Sequence, residues 1–235
     1  MFEDYPIRVC QKEENDYPVL LKEITGSPSL IYYRGNIGIL NQYKNVAVIG
    51  SRDVSLNGLR LAHQTGQIVA KAGCNLINGL ALGCDTEAVR GALSTGNRCV
   101  AILPCGLDQI QPKTNEKLAM AILQQGGCLI SEYTVGTSLQ KYHYVERDRL
   151  QSGLSQGVIV IETHPNSGTM HTVNFAERQG RRLACYAAEL LGQAEGNQIL
   201  ENKWKIQVLR NNNDLQSFVD YVIKEETFEQ LKLEF

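Results

Sequence analysis

The chain has 235 residues, 43% of them hydrophobic and 20% charged, with a formal net charge of −2. That size predicts one large domain or a domain with short appendages, and the near-neutral balance excludes a global positive field. The longest apolar runs are of strand length, short of the roughly 20 residues a bilayer-spanning helix needs. The opening MFEDYPIRVCQKEEN has no apolar core behind a positive start, so no secretory leader is expected. Seven cysteines form no C-x-x-C pair, and several sit inside apolar strand patterns, where a thiol acts as a small hydrophobe. A reducing, cytoplasmic setting is the expectation, with no metal, cofactor or disulfide.

In chain order, residues 1–45 read as an N-terminal extension with a short helix, a Gly26-Ser27-Pro28 turn and an edge strand, Leu30–Arg34. From Val46 onward strands and helices alternate. The expected strands are Val46–Gly50, Cys74–Asn78, Cys99–Leu103, Cys128–Glu132, Val158–Glu162, Leu183–Tyr186 and Ile206–Leu209. Between them lie helical patterns such as Gly58–Ala72, where Leu61, Ile68, Val69 and Ala72 recur at i, i+7, i+8 and i+11. Trp204 and the last strand are expected to be structural. The tail 223–235 places Phe228, Leu231, Leu233 and Phe235 among charges, the pattern of a dimer-edge helix or a frayed end.

Strands that are apolar throughout indicate a parallel sheet covered on both faces. The expected fold is therefore α/β, an extended Rossmann-like, doubly wound and mostly parallel sheet, with residues 46–222 as its core. Right-handed crossovers put the strand ends on one edge, where ligands bind and helix N-termini favour anions.

Three strand ends carry the candidate chemistry. Gly50-Ser51-Arg52 follows the first core strand. It is neither G-x-G-x-x-G nor a P-loop, which disfavours dinucleotide dehydrogenases and P-loop NTPases. Arg52 fits a surface ion pair, or, the favoured reading, a two-pronged grip on a phosphate. Asn78-Gly79-Leu80-Ala81-Leu82-Gly83-Cys84-Asp85 ends the second. The third end, Asn166-Ser167-Gly168-Thr169, opens a helix continuing to Thr172, with Ser167 as N-cap. Helix capping and phosphate binding are both open to it.

Lys141-Tyr142-His143-Tyr144-Val145-Glu146-Arg147-Asp148-Arg149 mixes aromatic and basic residues just ahead of an expected helix. Aromatic faces stack on bases while cations meet phosphates, which suits single strands. The alternative is a local ion-pair set with half-buried tyrosines. Further basic residues gather at Arg178, Arg181 and Arg182. The four histidines show no metal spacing, and His171 is expected to pack. Cys105 has no ordered histidine partner that would make it a nucleophile.

Together these motifs resemble the DNA-processing protein A (DprA/Smf) family from Asp16 to about Val222. The resemblance rests on Asp16-Tyr17-Pro18, Tyr32-Tyr33-Arg34-Gly35-Asn36, Val46–Arg52, Asn78–Asp85, Ala101–Asp108 and Leu129–Tyr133. Arg147-Asp148-Arg149-Leu150, Ser167-Gly168-Thr169 with Thr172, and Gly196-Asn197 complete it. It implies a dimerising extended Rossmann domain that binds single-stranded DNA without requiring a particular sequence. It further implies protection of incoming strands during natural transformation and loading of the RecA recombinase, with no chemical reaction. Residue by residue, Arg52, Lys141 and Arg147 would contact phosphates and Tyr144 would stack. Gly50, Ser51, Arg149, Ser167, Gly168, Thr169 and Thr172 would line the same edge.

Two departures stand out. The family's Phe-Pro-x-Arg-Asn-Arg is Tyr144-Val145-Glu146-Arg147-Asp148-Arg149 here, so a carboxylate replaces an amide beside the DNA track. The family's Pro-Gly after Cys185-Tyr186 is replaced by Ala187-Ala188-Glu189. The resemblance also covers the core without the N-terminal helical and C-terminal winged-helix domains common in the family. A competing reading is a small-nucleotide sensor or LOG-type hydrolase, whose Pro-Gly-Gly-x-Gly-Thr turn is faintly echoed by His164–Thr169. Its catalytic glutamate has no clear counterpart, Glu177 lying too far along the helix.

Overall fold

A computed structural model describes the backbone of residues 2–203 and 206–233, and the side chains of 2–202 and 206–224. Its strands are β1 (Arg8–Gln11), β2 (Leu30–Gly35), β3 (Asn45–Ile49), β4 (Asn75–Asn78), β5 (Cys99–Ile102), β6 (Cys128–Ser131), β7 (Gly157–Val160), β8 (Arg182–Tyr186) and β9 (Gln207–Leu209). The helices are α1 (Val19–Lys22), α2 (Ile39–Gln42), α3 (Leu56–Lys71), α4 (Cys84–Leu93), α5 (Glu116–Gln124), α6 (Lys141–Gly153), α7 (Gly168–Arg178), α8 (Glu195–Lys203) and α9 (Asn212–Leu233). Trp204 lies outside the described residues, as do the tail side chains from Glu225 to Phe235; the α9 backbone continues through the tail to Leu233.

The strands form one sheet in the order β1-β2-β6-β5-β4-β3-β7-β8-β9. From β6 to β9 every pairing is parallel, while β2 runs antiparallel to β6 and β1 antiparallel to β2. This is the doubly wound, mostly parallel sheet that the apolar strands predict. The winding reverses beside β3: α3 and β4 lie to one side of it, and β7 to the other. Ligands in such sheets bind at the carboxyl ends of the strands where that reversal opens a crevice.

Alternating strand residues feed two cores. In β3, Val46 and Val48 join one cluster with Leu61 and Val69 of α3, Val89 of α4, Ile122 of α5 and Phe218 of α9. Ala47 and Ile49 face the other way, onto Leu150 of α6, Val173 of α7 and Leu200 of α8. Each fully buried Val, Leu or Ile contributes roughly 1.5–3 kcal/mol of hydrophobic stabilisation. Both faces of the strands are therefore committed to packing, and the loops at their ends carry what chemistry there is.

Three boundaries differ from the sequence expectation. β1 was not expected, because among its four residues only Cys10 is buried and no alternation can register. The α3 helix starts at Leu56, before Gly58, because Ser55 caps it: its Oγ accepts from Gly58 N at 3.0 Å. Lys141–Arg149 does not precede a helix but forms the first turns of α6, with Gln140 as N-cap.

Candidate functional site

The carboxyl edge beside β3 holds a cavity of about 400 Å³. Gly50, Ser51 and Arg52 form one wall, Ala81 and Asp85 another, and Ser167, Gly168, Thr169 and Thr172 a third. The fourth is α6, which contributes Tyr144, Arg147, Asp148 and Gln151. Those four residues stand at i, i+3, i+4 and i+7, the spacing of one helix face. Here that face is polar.

The walls are held by backbone-directed bonds. Ser51 N donates to Glu162 O (2.8 Å), and the buried Glu162 carboxylate accepts from Ser55 N (3.1 Å) and Ser55 Oγ (2.7 Å). Glu162 thereby pins the turn carrying Arg52. On the second wall, Asp85 Oδ2 accepts from Gly79 N (3.0 Å) and Ala81 N (3.2 Å), while Asn78 Oδ1 accepts from Leu80 N (3.0 Å). These bonds hold Leu80 at φ +54°, a conformation non-glycine residues rarely adopt. Gly83 requires its own side-chain-free state: its φ is +77°, and a Cβ there would press on the carbonyls of Ser51 and Arg52.

Charge is concentrated on the α6 face. Arg147 is only 4% exposed; its Nη1 donates to Ile102 O (3.0 Å) and its Nε lies 3.3 Å from Asp148 Oδ1. The guanidinium fits because residue 79 is glycine, any Cβ there overlapping it. Burial pushes the Asp85 carboxyl up to about 6, against the opposing pull of Arg147 and the two backbone N–H bonds. Burial likewise raises Asp148 to about 6, with Arg147 again opposing and Asp85 adding to the rise. Arg52 stands exposed above them, its guanidinium 4.8 Å from the centre of the half-buried Tyr144 ring.

The structure brings together nine of the eleven candidate site residues and separates two. Gly50, Ser51, Arg52, Tyr144, Arg147, Ser167, Gly168, Thr169 and Thr172 line the cavity. Arg149 does not: it forms a two-pronged pair with Glu132 (2.5 and 2.6 Å). Two residues along a helix is a rotation of about 200°, so Arg147 and Arg149 point to opposite sides. Lys141 is exposed at the start of α6, one turn before Tyr144 and outside the cavity lining. Arg147 lines the cavity as a buried, partnered wall rather than an open cation.

Ser167 is the N-cap residue of α7, yet its hydroxyl meets Thr163 Oγ1 (2.7 Å) and makes no capping bond. Of the first-turn N–H groups of α7, Met170 N donates to Ser167 O (3.1 Å), and no capping side chain takes those of Gly168 and Thr169. His171, expected to pack, is exposed, and Glu177 is exposed on α7 away from the lining. Sequence reasoning put Asp85 at a candidate strand end and Asp148 beside the DNA track without counting either as a site residue, and it missed Gln151. The i, i+3, i+4, i+7 recurrence of polar residues from Tyr144 was the available signal.

Among the described residues no helix is long and apolar enough to cross a membrane. A family model for DNA recombination-mediator protein A matches residues 8–220. Protein Smf of Synechocystis is 34% identical over 172 residues, which are 72% of this chain and 43% of that protein. The chain spans about half the length of the curated relatives it matches. The crystal structure of DNA processing protein A from Streptococcus pneumoniae superposes with a TM-score of 0.81 at 30% identity, covering 92% of this chain and 75% of that one. DNA processing protein A from Helicobacter pylori, described as having a unique single-stranded DNA binding mode, superposes at 0.83 and 27% identity, covering 94% and 97%. With its motifs, its sheet order and this coverage in agreement, the chain belongs to the DNA recombination-mediator protein A family.

Proposed function

We propose that this protein binds single-stranded DNA at the β3 edge and acts in DNA processing and uptake. The observation that carries the reading is Arg52 lying over Tyr144 beside the uncapped α7 N-terminus. It sets a cation, an aromatic face and free backbone donors within one crevice. Exposed Arg52 and Lys141 meet phosphates, α7 offers N–H groups to another, and Tyr144 stacks on a base for roughly 1–3 kcal/mol. The similarity to the Helicobacter pylori protein supports the same ligand. The work is binding rather than catalysis, by a cytoplasmic homodimer that hands strands to a RecA-type recombinase.

With Arg147 buried, two open cations remain from the expected three. Log affinity should then fall against log salt with a slope of about −1.4 instead of about −2, at ~0.7 per contact for single strands. The test is fluorescence anisotropy of a labelled oligodeoxythymidine at two salt concentrations, with free AMP as competitor. Salt-sensitive binding indifferent to AMP is expected. Absence of DNA binding, with AMP raising the melting temperature, would overturn the reading in favour of a small-nucleotide site.

A further inference from the structure

Among the groups lining the cavity, Asp148 and Gln151 of α6 form an acceptor floor, beside the hydroxyl and N–H donors of Ser167, Thr169, Thr172 and α7. Asp148 Oδ1 is engaged by Gln151 Nε2 (2.8 Å) and Arg147 Nε (3.3 Å). Its other oxygen, Oδ2, lies 4.0 Å from where a Cβ on Gly168 would stand, beside the first turn of α7. The bond to Asp148 also orients the Gln151 amide: with the NH₂ drawn to the carboxylate, Oε1 must point elsewhere. That Oε1 is fully buried and has no hydrogen-bond partner, in a residue 3% exposed that lines the cavity. A buried acceptor without a donor is costly, so a donor that reached it from the cavity would recover that loss.

The ligand chemistry follows from these two side chains; the donors of the lining, the hydroxyls of Ser167, Thr169 and Thr172 and the first-turn N–H groups of α7, suit a phosphate. An ionised carboxylate and an amide oxygen accept hydrogen bonds and offer none. Cytosine and adenine present an exocyclic amine on their pairing edge, and a carboxylate accepting from the cytosine amine is an established recognition pair. Thymine presents a carbonyl oxygen at the corresponding position and a single N3–H beside it, whereas the two protons of an exocyclic amine can serve both acceptors. The volume of about 400 Å³ lies in the range of small-molecule sites.

We propose that the cavity takes one nucleobase carrying an exocyclic amine, cytosine or adenine, in preference to thymine, the amine donating to Asp148 Oδ2 and Gln151 Oε1. The inference rests on the single-stranded DNA reading of this same site. Phosphate and stacking contacts supply the general affinity, and the acceptor floor adds a bias at one nucleotide.

The test compares labelled oligodeoxythymidine with oligo(5-methyldeoxycytidine) of equal length at neutral pH and fixed salt. The two bases share the ring methyl and differ at the amine-bearing edge. Unaltered protein should bind the methylcytidine strand about tenfold tighter, as one good base-edge pairing would give. Asp148→Asn, which keeps the shape and adds a donor, should reduce that ratio below about threefold, and Gln151→Met should reduce it in part. Circular dichroism confirms that each variant is folded. Equal or tighter binding of the thymidine strand by unaltered protein overturns the amine preference while leaving DNA binding intact. Failure of both strands to bind overturns the DNA reading itself.

Discussion

The two ends of the parallel strands each carry a cluster of buried polar side chains, and the clusters are built on opposite terms. At the amino ends, Asn45 and Asn75 are neutral and fully engaged. Asn75 Nδ2 donates to Ile39 O and Asn45 Oδ1 (both 2.8 Å), and Asn45 Nδ2 donates to Leu40 O (2.8 Å). Gln156 Oε1 accepts from Asn45 N (2.8 Å). At the carboxyl ends, Asp85, Arg147 and Asp148 carry charge into the interior beside the neutral Gln151, whose Oε1 is left without a donor. A satisfied neutral network locks strand starts together. A charged, incompletely satisfied one costs stability, which is what the proposed ligand site would require.

The comparison breaks first at Arg147. Arg147→Met would leave Asp85 and Asp148 buried without their shared cation, costing about 3–5 kcal/mol in urea unfolding. Because both carboxyls would then titrate even higher, the loss should shrink as pH falls towards 5. A loss independent of pH would separate Arg147 from the two carboxylates. Asn75→Ala should cost about 2–3 kcal/mol by stranding the Ile39 carbonyl and the Asn45 amide oxygen. Its DNA affinity per folded molecule should not change; a change would mean the amino-end network also shapes the site.

Arg52→Ala tests the exposed side of the cavity. It should weaken oligodeoxythymidine about tenfold, the equivalent of ~1.4 kcal/mol, with the melting temperature unchanged. A lower melting temperature would make Arg52 part of the packed structure.

The smallest effect is a pH trend. Asp85 and Asp148 titrate near 6 in the folded chain against 3.8 for a free side chain. Their folded values are raised, so their contribution to stability is fully present below about 4 and is lost as pH rises through about 6. Urea unfolding at several pH values should show that loss, weakened in Asp148→Asn. Protonating Asp148 also removes a negative charge beside the proposed phosphate track. Oligodeoxythymidine should therefore bind tighter as pH falls from 7.5 to 6, and the preference for methylcytidine should narrow over the same interval. Affinity flat across that interval would place Asp148 away from the bound strand.

Much of this arrangement was legible in the chain. The seven apolar runs from Val46 to Leu209 are the seven parallel strands, and the turns Gly50–Arg52 and Ser167–Thr169 both reach the cavity. What was not legible lay on α6. Its segment is polar on both sides, so no apolar stripe sets the helical phase and tells which arginine points inward. Arg149 looked as available as Arg147, and its place on the other side of α6 and its bond to Glu132, 17 positions away, remove it. Asp85 was read as part of a loop because its partners are backbone N–H groups, which leave no trace in residue type.

The sequence by itself determined the parallel strands, the common edge where they end and the family, because buried parallel strands must be apolar throughout and their ends must turn. Tertiary structure alone decided which charges are open. Exposure of Arg52, burial of Arg147 against Gly79 and capture of Arg149 by Glu132 all arise where separate segments meet. Burial and pairing of a charge depend on what lies across the gap, and the order of residues along the chain does not record it.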